Sequence, residues 1–210
     1  MIVEKLNLST NAERVVKRLI NSKDLDKVGQ IAAVDPQTGE TFYGKTVVEA
    51  AKIGRKAKKD PKAIFFFVKV GYPAVHVIKN LRGYIYQECF PKVKGYIQDR
   101  RLYLATHIPE NIQSLEFVVD TGCSETLVLD KSIIQNIDRD YLGYDTAVLA
   151  EGVVYPVKVY LSNITVNALE LNEIVIIEMK KEYLMGMTLI RSICKRAIFA
   201  FDNDEVLFED

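Results

Sequence analysis

Apolar and polar positions follow one another along this chain in two textures. From residue 12, Ala12, Val15, Val16, Leu19 and Ile20 recur at the spacing of one helical face, and "TNAE" reads as a capping box with Thr10 as N-cap and Glu13 reaching back. "QIAAVDPQTGETFYG" reads as a strand, a turn carrying Asp35, Pro36 and Gly39, and a short return strand. A second capping box, Thr46 with Glu49, opens a helix whose Val47, Ala50, Ala51 and Ala57 share one side and which Asp60 and Pro61 end. "AIFFFVKV" has the aromatic and β-branched content of a buried strand.

From about residue 84 the pattern changes. "RRLYLATHI" and "PVKVYLSNITVNALELNEIVII" alternate with the period of antiparallel strands. Two short helices are expected among them, one after Asp130 with Ile133, Ile134 and Ile137 on a face, the other in "TLIRSICKRAI", before a closing strand, turn and strand in "AIFAFDNDEVLF". The expected fold class is an α+β N-terminal unit, residues 1–83, followed by a mainly antiparallel β domain, residues 84–210.

Charge supports a division of the chain. Residues 1–44 carry 6 Lys/Arg and 6 Asp/Glu, residues 45–101 carry 14 and 4, and residues 102–210 carry 8 and 18, so a segment of +10 precedes one of −10 in a chain of zero net charge. Lys52, Arg55, Lys56, Lys58, Lys59 and Lys62 read as a patch for nucleic acid or an acidic partner, and a solvated helix face is at least as good a reading of them. An internal alternative is that the +10 segment docks on the −10 domain, within the chain or across a dimer.

Composition changes the picture little. Glu4 and Lys5 interrupt the N-terminus, and the most apolar stretch is broken by Lys69, Gly71 and Pro73, so a soluble, cytoplasmic protein without a membrane span is expected. Three widely spaced cysteines, Cys89, Cys123 and Cys194, with only His76 and His107 beside them, argue against a zinc site or a disulfide framework. No metal and no cofactor are expected.

The chemistry concentrates in "FVVDTGCSETLVL", residues 117–129, where an apolar strand runs into Asp120, turns at Gly122 and becomes apolar again. An aspartate among Val118, Val119, Leu127 and Leu129 has to be exposed, paired or used. Two aspartates about 3 Å apart share one proton and divide into base and acid, which is what metal-free hydrolysis of a peptide bond by water requires. Gly122 lets the chain turn back so that backbone N–H groups hold the carboxylates, and the Thr121 and Ser124 hydroxyls can complete the network. "YDTAV", with Asp145 and Thr146, lacks the glycine, so the second carboxylate has to come from a second copy of the chain on a two-fold axis.

"FVVDTGCSETLVL" resembles the active-site loop of retropepsin-like aspartic proteases, homodimers with one DTG loop per chain. "EYLMGMTLIRS" looks like the second signature of that family, with Leu184, Met185 and Gly186 leading into a short helix, and "LAEGVVYPVKVYL" lies where the family places its substrate-covering flap. The resemblance spans residues 84–210. It implies an acid-protease fold, endopeptidase activity on a peptide or protein, Asp120 as catalytic residue, Thr121, Gly122 and Ser124 as its loop support, Ala150, Glu151, Gly152 and Val153 as flap, and Leu184, Met185 and Gly186 as support beneath the site. The chain departs from the family pattern at Cys123, where alanine or serine is usual, and at Thr188, where an acid or asparagine is usual. Residues 1–83 resemble a small prokaryotic domain of unknown function, through the "GKTVVEAAK" helix and its flanking strands.

Other readings stand beside this one. The fold can persist as a catalytically inactive binding or assembly module. A strand, acidic turn and strand also form the phosphate loop of actin-like ATPases, which need a longer chain after it. Cys123 with His107 is a nominal nucleophile and base that no spacing selects. Tyr84, Tyr86 and Tyr96 either line a peptide groove or pack on the sheet.

Overall fold

A computed structural model describes residues 8–77, 93–98, 101–106, 115–120, 127–148, 152–166, 169–179, 183–194, 196–200, 202 and 204–209. In chain order the elements are α1 (Thr10–Ile20), β1 (Ile31–Val34), β2 (Thr41–Gly44), α2 (Val47–Lys58), β3 (Phe65–Lys69), β4 (His76–Val77), β5 (Val93–Gln98), β6 (Arg101–Thr106) and β7 (Leu115–Asp120). There follow β8 (Leu127–Leu129), α3 (Lys131–Ile134), β9 (Asp140–Val148), β10 (Val154–Val166), β11 (Leu169–Glu178), β12 (Leu184–Gly186), α4 (Met187–Ile193), β13 (Arg196–Ala200) and β14 (Glu205–Glu209). The chain divides into two compact units, Met1–Val77 with Asp140–Leu161, and Ile78–Arg139 with Ser162–Asp210.

The first unit differs from the expected boundary, because Asp140–Leu161 groups with the N-terminal elements. The reason is strand pairing: β9 runs parallel to β3, with Phe65 opposite Gly143 and Phe66 opposite Tyr144. The strand order is β10, β9, β3, β1, β2, and β4 also pairs with β9. β1 is central and wholly buried, flanked by antiparallel β2 and β3. Phe66 and Val68 point with Ala32 and Val34 into the cluster that Ala12, Val16 and Leu19 of α1 close. Phe65, on the opposite face, lies with Phe42 against α2. Helices on both faces explain why "FFFV" is buried at every position rather than at alternate ones.

The caps follow the sequence with one shift. Thr46 caps α2 by accepting from the Glu49 N–H, while the Glu49 carboxylate accepts from Lys45 N–H at 2.7 Å. At α1 the N-cap is Ser9, not Thr10; the Ser9 hydroxyl accepts from Ala12 N–H at 3.1 Å, and Glu13 instead meets Lys17 one turn on. The buried stripe of α2 runs through Val47, Ala50, Ala51 and Gly54, leaving Ala57 exposed. Gly54 takes that place because the rings of Phe65 and Phe42 press on it: a Cβ there would come within 2.6 Å of Phe65.

The second unit is strand-rich, in the order β13, β14, β5, β6, β7, β12, β8, β11. Most neighbours are antiparallel, but β12 is parallel to β7 and β11 is parallel to β8, so the sheet is mixed. Both parallel pairs arise because β11 and β12 return to strands formed much earlier in the chain. The expected helices are α3, capped by Asp130, and α4, which stops at Ile193 so that Arg196–Ala200 can pair with β14. Phe117, Leu127, Val128, Leu129, Ile176, Met185 and Phe208 are among its buried apolar residues.

Candidate active site

Asp120 is the last residue of β7, and it is only 2 % exposed. Its strand alternates: Phe117 and Val119 face the core, while Glu116, Val118 and Asp120 lie on the other face. "LMG" lies beside it. β12 pairs with β7 so that Leu184 is opposite Val118, Met185 opposite Val119 and Gly186 opposite Asp120, and Val118 N–H donates to the Tyr183 carbonyl at 2.9 Å. On its other side β12 pairs with β8, Leu184 opposite Val128 and Met185 opposite Leu127. The tripeptide is therefore held between the strand that enters the DTG segment and the strand that leaves it. Leu184, Met185 and Gly186 are all buried, as a strand with neighbours on both sides requires.

The other expected site residues are distributed as follows. Thr121, Gly122, Cys123 and Ser124 lie outside the described residues, as do Ala150, Glu151, His107, Tyr84 and Tyr86. The residues expected as flap lie between β9 and β10, which are antiparallel with Val148 opposite Val154, and Gly152 has a left-handed φ of 78° with open space around it. Val153 is exposed. This strand pair belongs to the first unit and Asp120 to the second. Thr188 is exposed in α4. Asp145 is mid-strand in β9, opposite Val157 and fully buried, with Thr146 N–H donating to its carboxylate at 2.5 Å, so "YDTAV" forms no second strand-end loop.

The basic segment is partly consumed within the first unit. The Arg55 guanidinium pairs with both carboxylate oxygens of Asp140 and also donates to the carbonyls of Ala63 at 3.0 Å and Tyr141 at 3.1 Å. Lys58 lies 2.5 Å from Asp35 and 3.7 Å from Glu40. Burial pushes the Asp35 carboxyl up, but the hydrogen bonds from Lys58 and from the N–H groups of Thr38 and Gln37 outweigh it and hold it below its ordinary value. Arg55 with Asp140 is one ion pair, inside the first unit, between the basic and acidic segments.

Two residues on the sheet face of Asp120 escaped the sequence reading, Tyr103 and Glu116. The Tyr96 and Tyr103 rings are stacked, with centroids 5.1 Å apart and planes 9° apart, and the Glu116 carboxylate is close enough to the Tyr96 hydroxyl to help hold it above its ordinary pKa. The available signal was the period of two in "EFVVD", which puts Glu116 on the face of Asp120.

Among the described residues no group of three His, Cys, Asp or Glu side chains is placed to hold a metal ion, and no helix is long and apolar enough to cross a membrane. Comparison of the chain with protein-family models, with characterised proteins and with solved structures returned no match.

Proposed function

We propose that this chain is an aspartic endopeptidase that works as a homodimer, its second unit carrying a retropepsin-like domain and its N-terminal residues a small α+β domain. One observation carries the reading: the aspartate of the DTG sequence is a nearly buried strand-end carboxyl, and Gly186 of the LMG sequence is its partner in the adjacent strand. Two such acids brought together on a two-fold axis share one proton and divide into base and acid.

In this reading the Asp120 carboxylate of one protomer takes a proton from water as the water oxygen attacks the scissile carbonyl carbon. The protonated Asp120 of the other gives its proton to the amide as the C–N bond breaks. Met185, between Val119 and Leu127, keeps the strand ends on either side of the DTG segment together. The buried thiol of Cys194 suits a reducing, cytoplasmic compartment.

The test is cleavage of a mixed peptide library from acidic to neutral pH by the full chain and by Asp120→Asn, read by mass spectrometry beside sedimentation of both proteins. Cleavage by the parent dimer and none by the variant is expected. A chain that stays monomeric at high concentration, or cleavage that survives in Asp120→Asn, overturns the reading; an intact dimer that cleaves nothing favours the binding module.

A further inference from the structure

The stacked tyrosines and Glu116 have no role in the hydrolysis itself, yet they share a sheet face with Asp120. Tyr96 is opposite Tyr103 across β5 and β6, and Tyr103 is opposite Val118 across β6 and β7, so the pair is level with the residue midway between Glu116 and Asp120. Both rings are half-buried and Glu116 is exposed. At about 3.4 Å of rise per residue, the Glu116 and Asp120 Cα atoms are roughly 14 Å apart, the reach of about four residues of an extended peptide.

From this arrangement we propose that Tyr96, Tyr103 and Glu116 form a specificity subsite for a lysine or arginine side chain of the peptide bound at Asp120. The chemistry selects a cation in two ways. Aromatic faces attract an ammonium or guanidinium through their quadrupole and accept the methylene stem as an apolar partner. The Glu116 carboxylate, two residues before Val118 on the same face and so diagonal to Tyr103, offers two oxygens as acceptors for the cation's N–H groups. Desolvation and the neighbouring Glu116 carboxylate both push the Tyr96 hydroxyl above its ordinary value, so it stays protonated through the neutral range. Among the described residues no lysine or arginine is ion-paired with Glu116. An apolar peptide side chain would gain the rings but no charge partner, which sets the preference.

The inference rests on the peptidase reading for the placement of the peptide, but its test does not require turnover. Two pools of fluorescent decapeptides, randomised except for one position fixed as lysine in one pool and norleucine in the other, are titrated with full-length Asp120→Asn, scanning the fixed position. At one position the lysine pool should bind about 5- to 10-fold tighter. Glu116→Gln in the same background should bring the pools within about twofold, and Tyr103→Leu should lower the preference while Glu116 remains. Equal binding of the pools at every position, no binding of either, or a preference that survives Glu116→Gln overturns the subsite. A lysine preference in a chain that hydrolyses nothing leaves the subsite standing and removes the peptidase; cleavage of the library by the parent protein without that preference does the reverse.

Discussion

Gly186 stands directly opposite Asp120 in the parallel pairing of β12 with β7, and Met185, one residue earlier, is opposite Val119 on one side and Leu127 on the other. Met185 is fully buried. Removing its side chain leaves a cavity between the strands that frame the DTG segment, so Met185→Ala should lower unfolding stability by about 2–5 kcal/mol. Met185→Leu, of nearly equal volume, should cost under about 1.5 kcal/mol. Urea titrations followed by near-ultraviolet circular dichroism measure both. Equal, small losses would mean that β12 does not fill the space beside β7.

Asp35 and Lys58 make stability depend on pH at both extremes. The folded Asp35 carboxyl titrates below its ordinary 3.8, so what it contributes is present above about pH 4 and is lost as pH falls through the folded value. Lys58 is shifted oppositely: its hydrogen bond to Asp35 raises it above 10.5, so its share is present below that pH and is lost as pH rises through the folded value. Between these limits the pair contributes a plateau. The stability difference between the parent and Asp35→Asn should be constant from about pH 5 to 8 and should shrink below about pH 4. Denaturant midpoints across that range test it; a difference that grows in acid would contradict the ion pair.

Arg55 and Asp140 are unequal partners. Asp140 is nearly half exposed, at 46 %, against 13 % for Arg55. Asp140→Ala should therefore cost only about 1 kcal/mol, whereas Arg55→Ala, which also deprives the Ala63 and Tyr141 carbonyls of their donor, should cost about 2–3 kcal/mol. The order of the two losses, read from urea denaturation, is the test. A larger loss for Asp140→Ala would place the energy in the charge pair rather than in the carbonyl bonds.

Local signals predicted local structure well and long-range pairing poorly. The turn at Asp35, the Thr46 cap and the helix that starts after Asp130 depend on residues within a few positions of one another, and all three form where expected. Ser9 displaced Thr10 as a cap because adjacent hydroxyls compete and the extended conformation falls on Ser9. Gly54 carries no apolar side chain to count, so the stripe of α2 misled at Ala57. The neighbourhood of Asp120 and Gly186, sixty-odd positions apart, came only from the resemblance of two motifs. Hydropathy alone marks both strands as buried without pairing them. The placement of Asp140–Leu161 against the N-terminal elements had no local signal at all.

That last pairing turns on Gly143. It has a φ of 137°, it is opposite Phe65, and the register between β9 and β10 shifts beside it, after Val159. A Cβ at this position would sit 1.9 Å from the Phe65 carbonyl oxygen and 2.7 Å from its nitrogen, both backbone atoms that cannot rotate away. Relief requires β9 to withdraw from β3, which breaks the parallel ladder and uncovers Phe65 and Phe66. Gly143→Ala should therefore cost more than about 3 kcal/mol, well beyond an ordinary glycine replacement. Amide exchange should show protection lost first at Phe65–Lys69 and at Asp140–Val148, with β12 less affected. A loss under about 1 kcal/mol, with exchange in β3 unchanged, would show that β9 does not pair there.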